Sequence, residues 1–371
     1  MSQKHRPGAQ AVETELRALE KIWQTRLPET FRKLHLGYDA PLLPPCEFLS
    51  PAEMVRGEGR AYGMLPALLP FGREMDEGGI FGFYALPGLS PEQWPVLCWD
   101  TFEMSLQPAA SNFCAFLRNC VLTGRYAAEE QEEVEGELEQ EYSALLVQMG
   151  MTDASARLPL PRSDAELYHA LTQMDPQNAV SLCHMGCARR AQNDPERALD
   201  LYFRAAEAAP WFGDPFYLIA DIYREREDSE HAAMSWWSVA QRLLPLCTST
   251  LNWDLGMEHP EADIYEVAAD GLASLQSAPE EMRADPLWNA VTREDPYDPH
   301  VREALAHLYM QQGRMPEAER EYINALSLCC EERDSQSERL YNSLIVLYEN
   351  QGRSREAALA AADAQRKQEE P

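Results

Sequence analysis

A helical pattern that recurs with a period of about 34 residues, interrupted by two longer spacings, constrains the fold of this chain more than any other feature. Residues 179–210 carry small residues and aromatics at helical spacing and end on a proline, and the next copy repeats that order, with Ala198 and Ala232 as matching anchors 34 positions apart. Third and fourth copies are anchored at Ala318 and Ala357. Because a single pair of helices cannot bury its apolar face alone, neighbouring copies must stack to form a core.

Small side chains recur where the two helices of each copy are predicted to approach most closely. They are Gly186, Ala220 and Ala306 on the first helices and Ala198, Ala232 and Ala318 on the second. Gly313 and Gly352 follow first helices, where a left-handed backbone favours glycine. The pattern resembles the tetratricopeptide repeat (TPR) family, and the resemblance implies an all-α TPR superhelix over residues 164–371 that binds another protein. Whether residues 246–294 hold a further, degenerate repeat stays open.

The first 125 residues follow a different pattern, in which strands and turns lie between helices. Apolar residues from Val12 to Trp23 fall on one helical face, and a second short helix follows Leu27. Three strands are predicted, over residues 65–71, 80–86 and 95–100. Phe113 begins a closing amphipathic helix. This order of elements predicts an α+β domain over residues 1–125.

The same order of elements resembles the SUKH superfamily, which includes bacterial immunity proteins and a yeast cell-wall assembly regulator. The resemblance is carried by Leu19-Glu20, Leu27-Pro28, Phe48-Leu49-Ser50, Leu69-Pro70-Phe71, Phe83-Tyr84-Ala85-Leu86, Pro95-Val96-Leu97-Cys98-Trp99-Asp100 and Ser111-Asn112-Phe113-Cys114-Ala115-Phe116-Leu117. It implies an antiparallel sheet with flanking helices, in a non-catalytic domain that recognises another protein. In many relatives that protein is a nuclease or deaminase toxin. Residues 126–163, which are rich in glutamate, are predicted to form an acidic helix and linker.

Charge is distributed unevenly along the chain, whose formal net charge is −29. Residues 1–125 hold 14 acidic and 12 basic side chains, whereas the remaining residues hold 47 and 20. Such a field repels phosphate and anionic lipid, so we expect no nucleic-acid or membrane partner. It attracts a protein with a basic surface or segment, unless the charge serves solubility alone. Nine scattered cysteines and a polar, charged start predict a cytoplasmic protein.

No catalytic constellation follows from residue spacing, so we predict a protein that is not an enzyme and needs no cofactor, metal or small-molecule substrate. Cys183, His184 and Cys187 resemble half of a zinc site, but zinc needs four ligands and no second pair lies nearby in sequence. Acidic residues in a glycine turn and at a strand end are instead candidate partner contacts. They are Asp76, Glu77 and Asp100.

The first helices of the repeats supply the second set of candidate partner contacts. These residues are Tyr217, Asp221, Arg224, His300, Glu303, His307, Asn342 and Val346. Their aromatic and acidic character predicts an extended or helical segment bearing Lys or Arg. Two functions remain open: a SUKH-type immunity or regulatory protein whose TPR solenoid helps to bind a partner such as a toxin, and a general TPR scaffold or co-chaperone-like adaptor.

Overall fold

The computed structural model describes residues 8–37, 42–60, 64–75, 78–101, 104–130, 161–247, 263–275, 278–329 and 335–369. The chain divides into two compact units. The first comprises Met1–Ala61, Ala67–Phe102 and Pro108–Met185, and the second Tyr62–Pro66, Glu103–Gln107 and Gly186–Pro371. Most of the predicted acidic segment, residues 131–160, lies outside the described residues, as do Asp76 and Glu77.

A six-stranded sheet, with its strands in chain order, forms the centre of the first unit. The strands are β1 (Leu42–Leu43), β2 (Cys46–Phe48), β3 (Leu68–Glu74), β4 (Ile80–Tyr84), β5 (Val96–Trp99) and β6 (Leu106–Ala110). Neighbours from β1 to β5 pair antiparallel, and a register shift between Pro70 and Gly72 marks a bulge in β3. Strands β3, β4 and β5 overlap the predicted ones. Strand β6 was not predicted, because Pro108 and two alanines give it little β-propensity.

Phenylalanine rings fill the core between this sheet and its helices. The helices are α1 (Ala9–Ile22), α2 (Glu29–Gly37), α3 (Pro51–Val55) and α4 (Phe113–Glu130). The rings are those of Phe31, Phe48, Phe71, Phe83, Phe113 and Phe116, with centroids 4.6–6.3 Å apart and mostly edge to face. The predicted α+β domain, an antiparallel sheet with flanking helices, is confirmed.

Helix α5 (Asp164–Met174) packs against α4 within the first unit. Their shared apolar cluster consists of Leu122, Leu167, Ala170, Leu171 and Met174. Just after α5, the carboxylate of Asp175 accepts hydrogen bonds from the backbone N–H and the hydroxyl of Ser111, at 2.9 and 2.6 Å. Helix α6 (Ala179–Ala191) then spans the end of the first unit and the start of the second. Residue 164, where the sequence places the start of the repeats, therefore opens a helix that packs on the sheet domain.

The second unit is built from helical hairpins. Its helices are α7 (Pro195–Ala208), α8 (Asp214–Glu225), α9 (Ser229–Ala240), α10 (Ile264–Ala273), α11 (Glu280–Ala284), α12 (Pro286–Thr292), α13 (Pro299–Gln311), α14 (Met315–Leu328), α15 (Ser335–Asn350) and α16 (Ser354–Glu369). Helices α8 and α9, α13 and α14, and α15 and α16 pack in pairs. Within the stretch that the sequence leaves open, α10 packs on α12 and supplies a further hairpin. The expected all-α repeat architecture is confirmed.

The same turn joins the two helices in four of these hairpins. A residue with positive φ ends each first helix, and the N–H of the next residue donates to the carbonyl five positions earlier. The positive-φ residues are Asn193, Glu227, Gly313 and Gly352, with φ of 61°, 59°, 75° and 70°. This is the hydrogen-bonding pattern of a helix end closed by a left-handed residue. The glycines predicted at this position, Gly313 and Gly352, are confirmed. In the other two hairpins the same left-handed position is occupied by residues that are not glycine, Asn193 and Glu227.

Small residues of the hairpins are buried, and Gly186 of α6 lies against an aromatic ring of α7. A Cβ added to Gly186 would lie 2.2 Å from the ring of Tyr202 in α7, so glycine is needed there to admit the aromatic ring. The sequence pairs Gly186 with Ala198 instead. Ala198 is buried on the same helix as Tyr202, four positions earlier.

A buried ionic network connects α10, α13 and α14. The guanidinium of Arg302 donates to Glu321 Oε2 at 2.8 Å and to the hydroxyl of Tyr265 at 2.8 Å. Arg320 donates to the other carboxylate oxygen of Glu321 at 2.6 Å. Asn324 Oδ1 accepts from the backbone N–H of Leu244 at 2.8 Å, which ties the segment after α9 to α14. Each charge in this network has a partner, as burial requires.

Among the described residues, no helix combines the length and the apolar character that a bilayer span requires.

Candidate partner-binding face of the helical repeats

The side chains predicted to bind a partner lie on three first helices, α8, α13 and α15. We call them the first-helix face: Tyr217, Asp221 and Arg224 on α8, His300, Glu303 and His307 on α13, and Asn342 and Val346 on α15. The face divides by exposure. His300, His307, Asn342, Val346 and Arg224 are exposed, whereas Glu303 is half-buried and Tyr217 and Asp221 are buried.

On α8, the acidic residue of the first-helix face is already engaged in a cluster of ion pairs. Asp221 accepts from Arg190 at 2.6 Å and from Arg224 at 2.5 Å, and Arg190 also lies 2.5 Å from Glu225. Tyr217 is 3% exposed, and burial, followed by the charge of Asp221, raises the pKa of its phenol to about 12. Because Asp221 is already bound by two guanidinium groups, it offers a partner no free carboxylate. Of the three predicted α8 residues, Arg224 is the one that faces solvent.

The α13 part of the face is ordered by α15. Gln336 Nε2 lies 3.2 Å from Glu303 Oε2 and 3.1 Å from His300 Nδ1. A carboxylate only accepts, so the amide nitrogen of Gln336 is the donor in the contact with Glu303. Because this nitrogen carries two hydrogens, it can also donate to His300 Nδ1, and in that tautomer the ring proton lies on Nε2. Arg339 lies 3.7 Å from the same oxygen of Glu303. We call His300, Glu303, His307, Gln336, Arg339, Asn342 and Val346 the α13–α15 patch.

The exposed groups of the α13–α15 patch are mainly hydrogen-bond donors. They are the imidazole Nε2–H of His300, the guanidinium of Arg339 and the side-chain amide of Asn342, each on an exposed residue. The one carboxylate of the patch, on Glu303, is already contacted by Gln336 and Arg339. Chemically, the patch suits acceptor groups such as backbone carbonyls, with Val346 as an apolar contact.

Sequence reasoning missed three residues that shape this face: Arg190, Gln336 and Arg339. Arg190 precedes Arg224 by 34 positions, so the repeat period itself marks it as an equivalent position. Gln336 and Arg339 lie in the first turns of α15, just after residues 330–334, which fall outside the described residues. No local sequence pattern identifies their contacts with Glu303, because these join residues more than 30 positions apart.

The remaining candidate residues lie in the first unit or at its end. Asp100 is half-buried and directly follows β5. Cys183 and Cys187 are buried and form no disulfide. His184 stacks on Tyr168 with ring centroids 3.8 Å apart, and burial lowers its pKa to about 4, against a small opposing effect of Asp164. In the part of the chain that the structure describes, no group of three or more metal-binding side chains comes together.

Comparison with known proteins gives the class of each unit. The family profile of the SMI1 / KNR4 family (SUKH-1) matches residues 10–119. A tetratricopeptide repeat profile matches residues 181–216 and 302–336. The chain therefore combines a SUKH-type domain with tetratricopeptide repeats, and the predicted arrangement is confirmed. Both kinds of domain support a role in protein–protein interaction.

Among solved structures, a similar chain is the crystal structure of YrrB, described as a TPR protein with an unusual peptide-binding site. It is 16% identical, with a TM-score of 0.22, and the match covers 57% of this chain and 93% of that one. A score this low supports no transfer of the YrrB binding site to this chain. No curated protein matches the sequence significantly.

Proposed function

We propose that this chain is a non-catalytic binding protein whose α13–α15 patch holds a segment of a partner protein. The observation that carries the proposal is the pair of hydrogen bonds from Gln336 to His300 and Glu303. They hold an exposed donor surface in place before any partner arrives, which lowers the entropic cost of binding. Backbone carbonyls of an extended segment fit these donors.

The net charge of −29 supports a basic partner and does not conflict with a donor-rich patch. The long-range field of the whole chain steers a positively charged protein towards it, whereas short-range donors contact the backbone of the bound segment. In the finer form of the proposal, this partner is a toxin of nuclease or deaminase type, as the SUKH-type domain suggests. The chain would then neutralise the toxin by occluding it, in the cytoplasm.

Two exposed apolar residues allow a matched test. Val346, in the patch, is 50% exposed, and Met234, on the second helix α9, is 52% exposed. We would capture partners from the native host with the full chain and measure the affinity of the recovered protein for Val346→Asp and Met234→Asp. Both changes add one negative charge at an equally open position. Loss of at least tenfold in affinity for Val346→Asp alone supports the patch, whereas equal affinities contradict it.

Activity of the captured protein tests the finer form. If the partner is a nuclease or deaminase, a stoichiometric amount of the chain should abolish its activity. Uninhibited turnover in the complex would contradict neutralisation while leaving the binding proposal intact.

A further inference from the structure

A cavity of about 140 Å³ that is partly open to solvent lies in the first unit, where α4, α5 and the start of α6 meet the sheet. Its lining is mostly apolar and includes the rings of Phe81, Phe116 and Tyr168 together with Leu171 and Cys120. Burial raises the pKa of the Cys120 thiol, so this group stays neutral. The first-helix face shares no residue with this cavity.

The walls of the cavity are fixed on two sides. Helix α5 is held on α4 by the apolar cluster around Leu122, and Asp175 is hydrogen-bonded to Ser111. Asn178, at the start of α6, donates its side-chain amide to the carbonyl of Ala109 at 3.3 Å and accepts from the backbone N–H of Ser181 at 2.8 Å. The helices and strands that bound the space are therefore held in place, and the ligand site proposed below requires only the side-chain amide of Asn119 to turn.

One polar side chain in the lining has an unused acceptor. Asn119 is 7% exposed and donates to Ala109 O at 3.3 Å, but its Oδ1 has no hydrogen-bond partner among the described residues. A buried acceptor without a partner is costly, and native proteins usually satisfy it with protein, water or ligand. The carbonyl of Ala109 also accepts from Asn178. The Ala109 carbonyl therefore stays satisfied when the amide of Asn119 turns its oxygen towards the cavity, while Asn119 Nδ2 gives up its bond to Ala109.

We propose that this cavity binds a single aromatic ring that carries one N–H or O–H donor. A cavity of roughly 150 Å³ with an apolar lining accepts a benzene ring, which matches the volume here. The donor would reach Asn119 Oδ1, and the apolar remainder would contact the surrounding rings. Pockets of this kind, apolar with a few placed polar groups, are the usual form of a ligand site. Binding involves no reaction, so the ring is a ligand and not a substrate.

The ring could come from a free small molecule or from a tyrosine or tryptophan side chain of a bound peptide. The experiment uses the full chain with phenol, indole and benzene as probes, followed by ligand-observed NMR titrations. Phenol and indole should bind in the millimolar range or tighter, and about fivefold more tightly than benzene, because one hydrogen bond to a buried acceptor is gained. Absence of binding by all three probes would overturn the proposal, because the cavity would then hold water alone.

Two variants locate the binding. Ala109→Leu adds volume to the lining and should abolish binding of every probe. Asn119→Leu keeps the volume but removes the acceptor, so it should retain benzene binding and lose the preference for phenol. Circular dichroism checks that each variant folds. If one variant fails to fold, the result for the other is sufficient to decide the proposal. Unchanged binding in both would place the probes elsewhere and contradict the proposal.

The same titration with acetyl-Gly-Trp-Gly-amide and acetyl-Gly-Tyr-Gly-amide identifies the source of the ring. A peptide that binds more tightly than its free ring, and loses affinity in Ala109→Leu, shows that the cavity takes a side chain of a partner. Binding of the free rings without the peptides assigns a small-molecule ligand. Both results support the cavity as a site.

Discussion

Arg302 and Glu321 form an ion pair of 2.8 Å in which both side chains are completely buried. Burial on its own raises the pKa of Glu321. The neighbouring guanidinium groups of Arg320 and Arg302 together lower it by more than burial raises it, so the pKa lies below its ordinary value. The carboxylate is therefore charged at neutral pH and holds two cations in the interior. Removing its charge would leave those cations without compensation.

Glu321→Gln should lower the free energy of unfolding by about 3–5 kcal/mol, because two buried guanidinium groups lose their counter-charge. Chemical denaturation at neutral pH measures the change. The matched control is Glu280→Gln, which removes the carboxylate of the exposed pair between Arg283 and Glu280 at 2.6 Å. An exposed pair contributes less than about 1 kcal/mol. Similar losses of unfolding free energy in the two variants would contradict a larger contribution from the buried pair.

This network also shows where sequence reasoning reaches its limit. The recurring alanines and left-handed turns are local features that return in the same order in each copy, so the repeats could be predicted from the chain alone. Arg302, Arg320 and Glu321 look in the sequence like ordinary solvated charges of amphipathic helices. Only the packing of α13 and α14 against α10 and the segment after α9 removes them from water. The same limit applies to the candidate site, where Asp221 is predicted as a partner contact but is held by Arg190 and Arg224.

The packing of α5 against α4 could not be predicted from the sequence for a related reason. Ser111 and Asp175 are separated by 64 positions, and the 30 residues from 131 to 160 that lie between them are strongly acidic and carry no repeat pattern. Periodicity identifies a helix at 164–174 but not the surface on which it packs. The apolar faces of α4 and α5 come into contact only in the tertiary fold.

His35 should make stability depend on pH between about 6.5 and 4. Its ring is buried against Phe31 and Phe48, and neither nitrogen has a hydrogen-bond partner among the residues that the structure describes. Burial lowers its pKa to about 4. Below pH 6.5 the unfolded chain binds a proton that the folded chain rejects. Stability therefore falls as pH is lowered through this window, by roughly 3 kcal/mol from this group.

The variant His35→Leu should remove the part of this dependence that His35 contributes, leaving the part due to His184, whose pKa burial also lowers to about 4. It should cost little at pH 7.5, since it also removes two unsatisfied buried nitrogens. Denaturant midpoints measured at several pH values test the expectation. Replacing the exposed His169 by leucine serves as the control and should leave the slope unchanged. A parallel slope in His35→Leu and the unmodified chain would contradict the assignment of this effect to His35.

The hairpin turns predict a pair of opposite stability changes. Glu227 occupies the left-handed position, with φ of 59°, that glycine fills at Gly313 with φ of 75°. Glu227→Gly should therefore stabilise the chain by about 0.5–1 kcal/mol, and Gly313→Ala should destabilise it by about 1 kcal/mol. A Cβ at Gly313 would meet nothing within 4 Å, so the loss would come from the backbone alone. Thermal unfolding of both variants provides the measurement, and changes of the same sign would contradict the common turn.

Association with the captured partner should separate the long-range charge from the α13–α15 patch. Because the acidic field steers a basic protein, the association rate should fall about tenfold between roughly 20 and 200 mM salt. Arg339→Gln removes a donor of the patch and changes the net charge by one unit, so it should mainly raise the dissociation rate. Arg293→Gln, at another exposed arginine, is the control with the same charge change. Stopped-flow or surface-based kinetics give both rates.

An association rate that does not change with salt would indicate that the acidity serves solubility. Equal dissociation rates for Arg339→Gln and Arg293→Gln would show that Arg339 does not contact the partner.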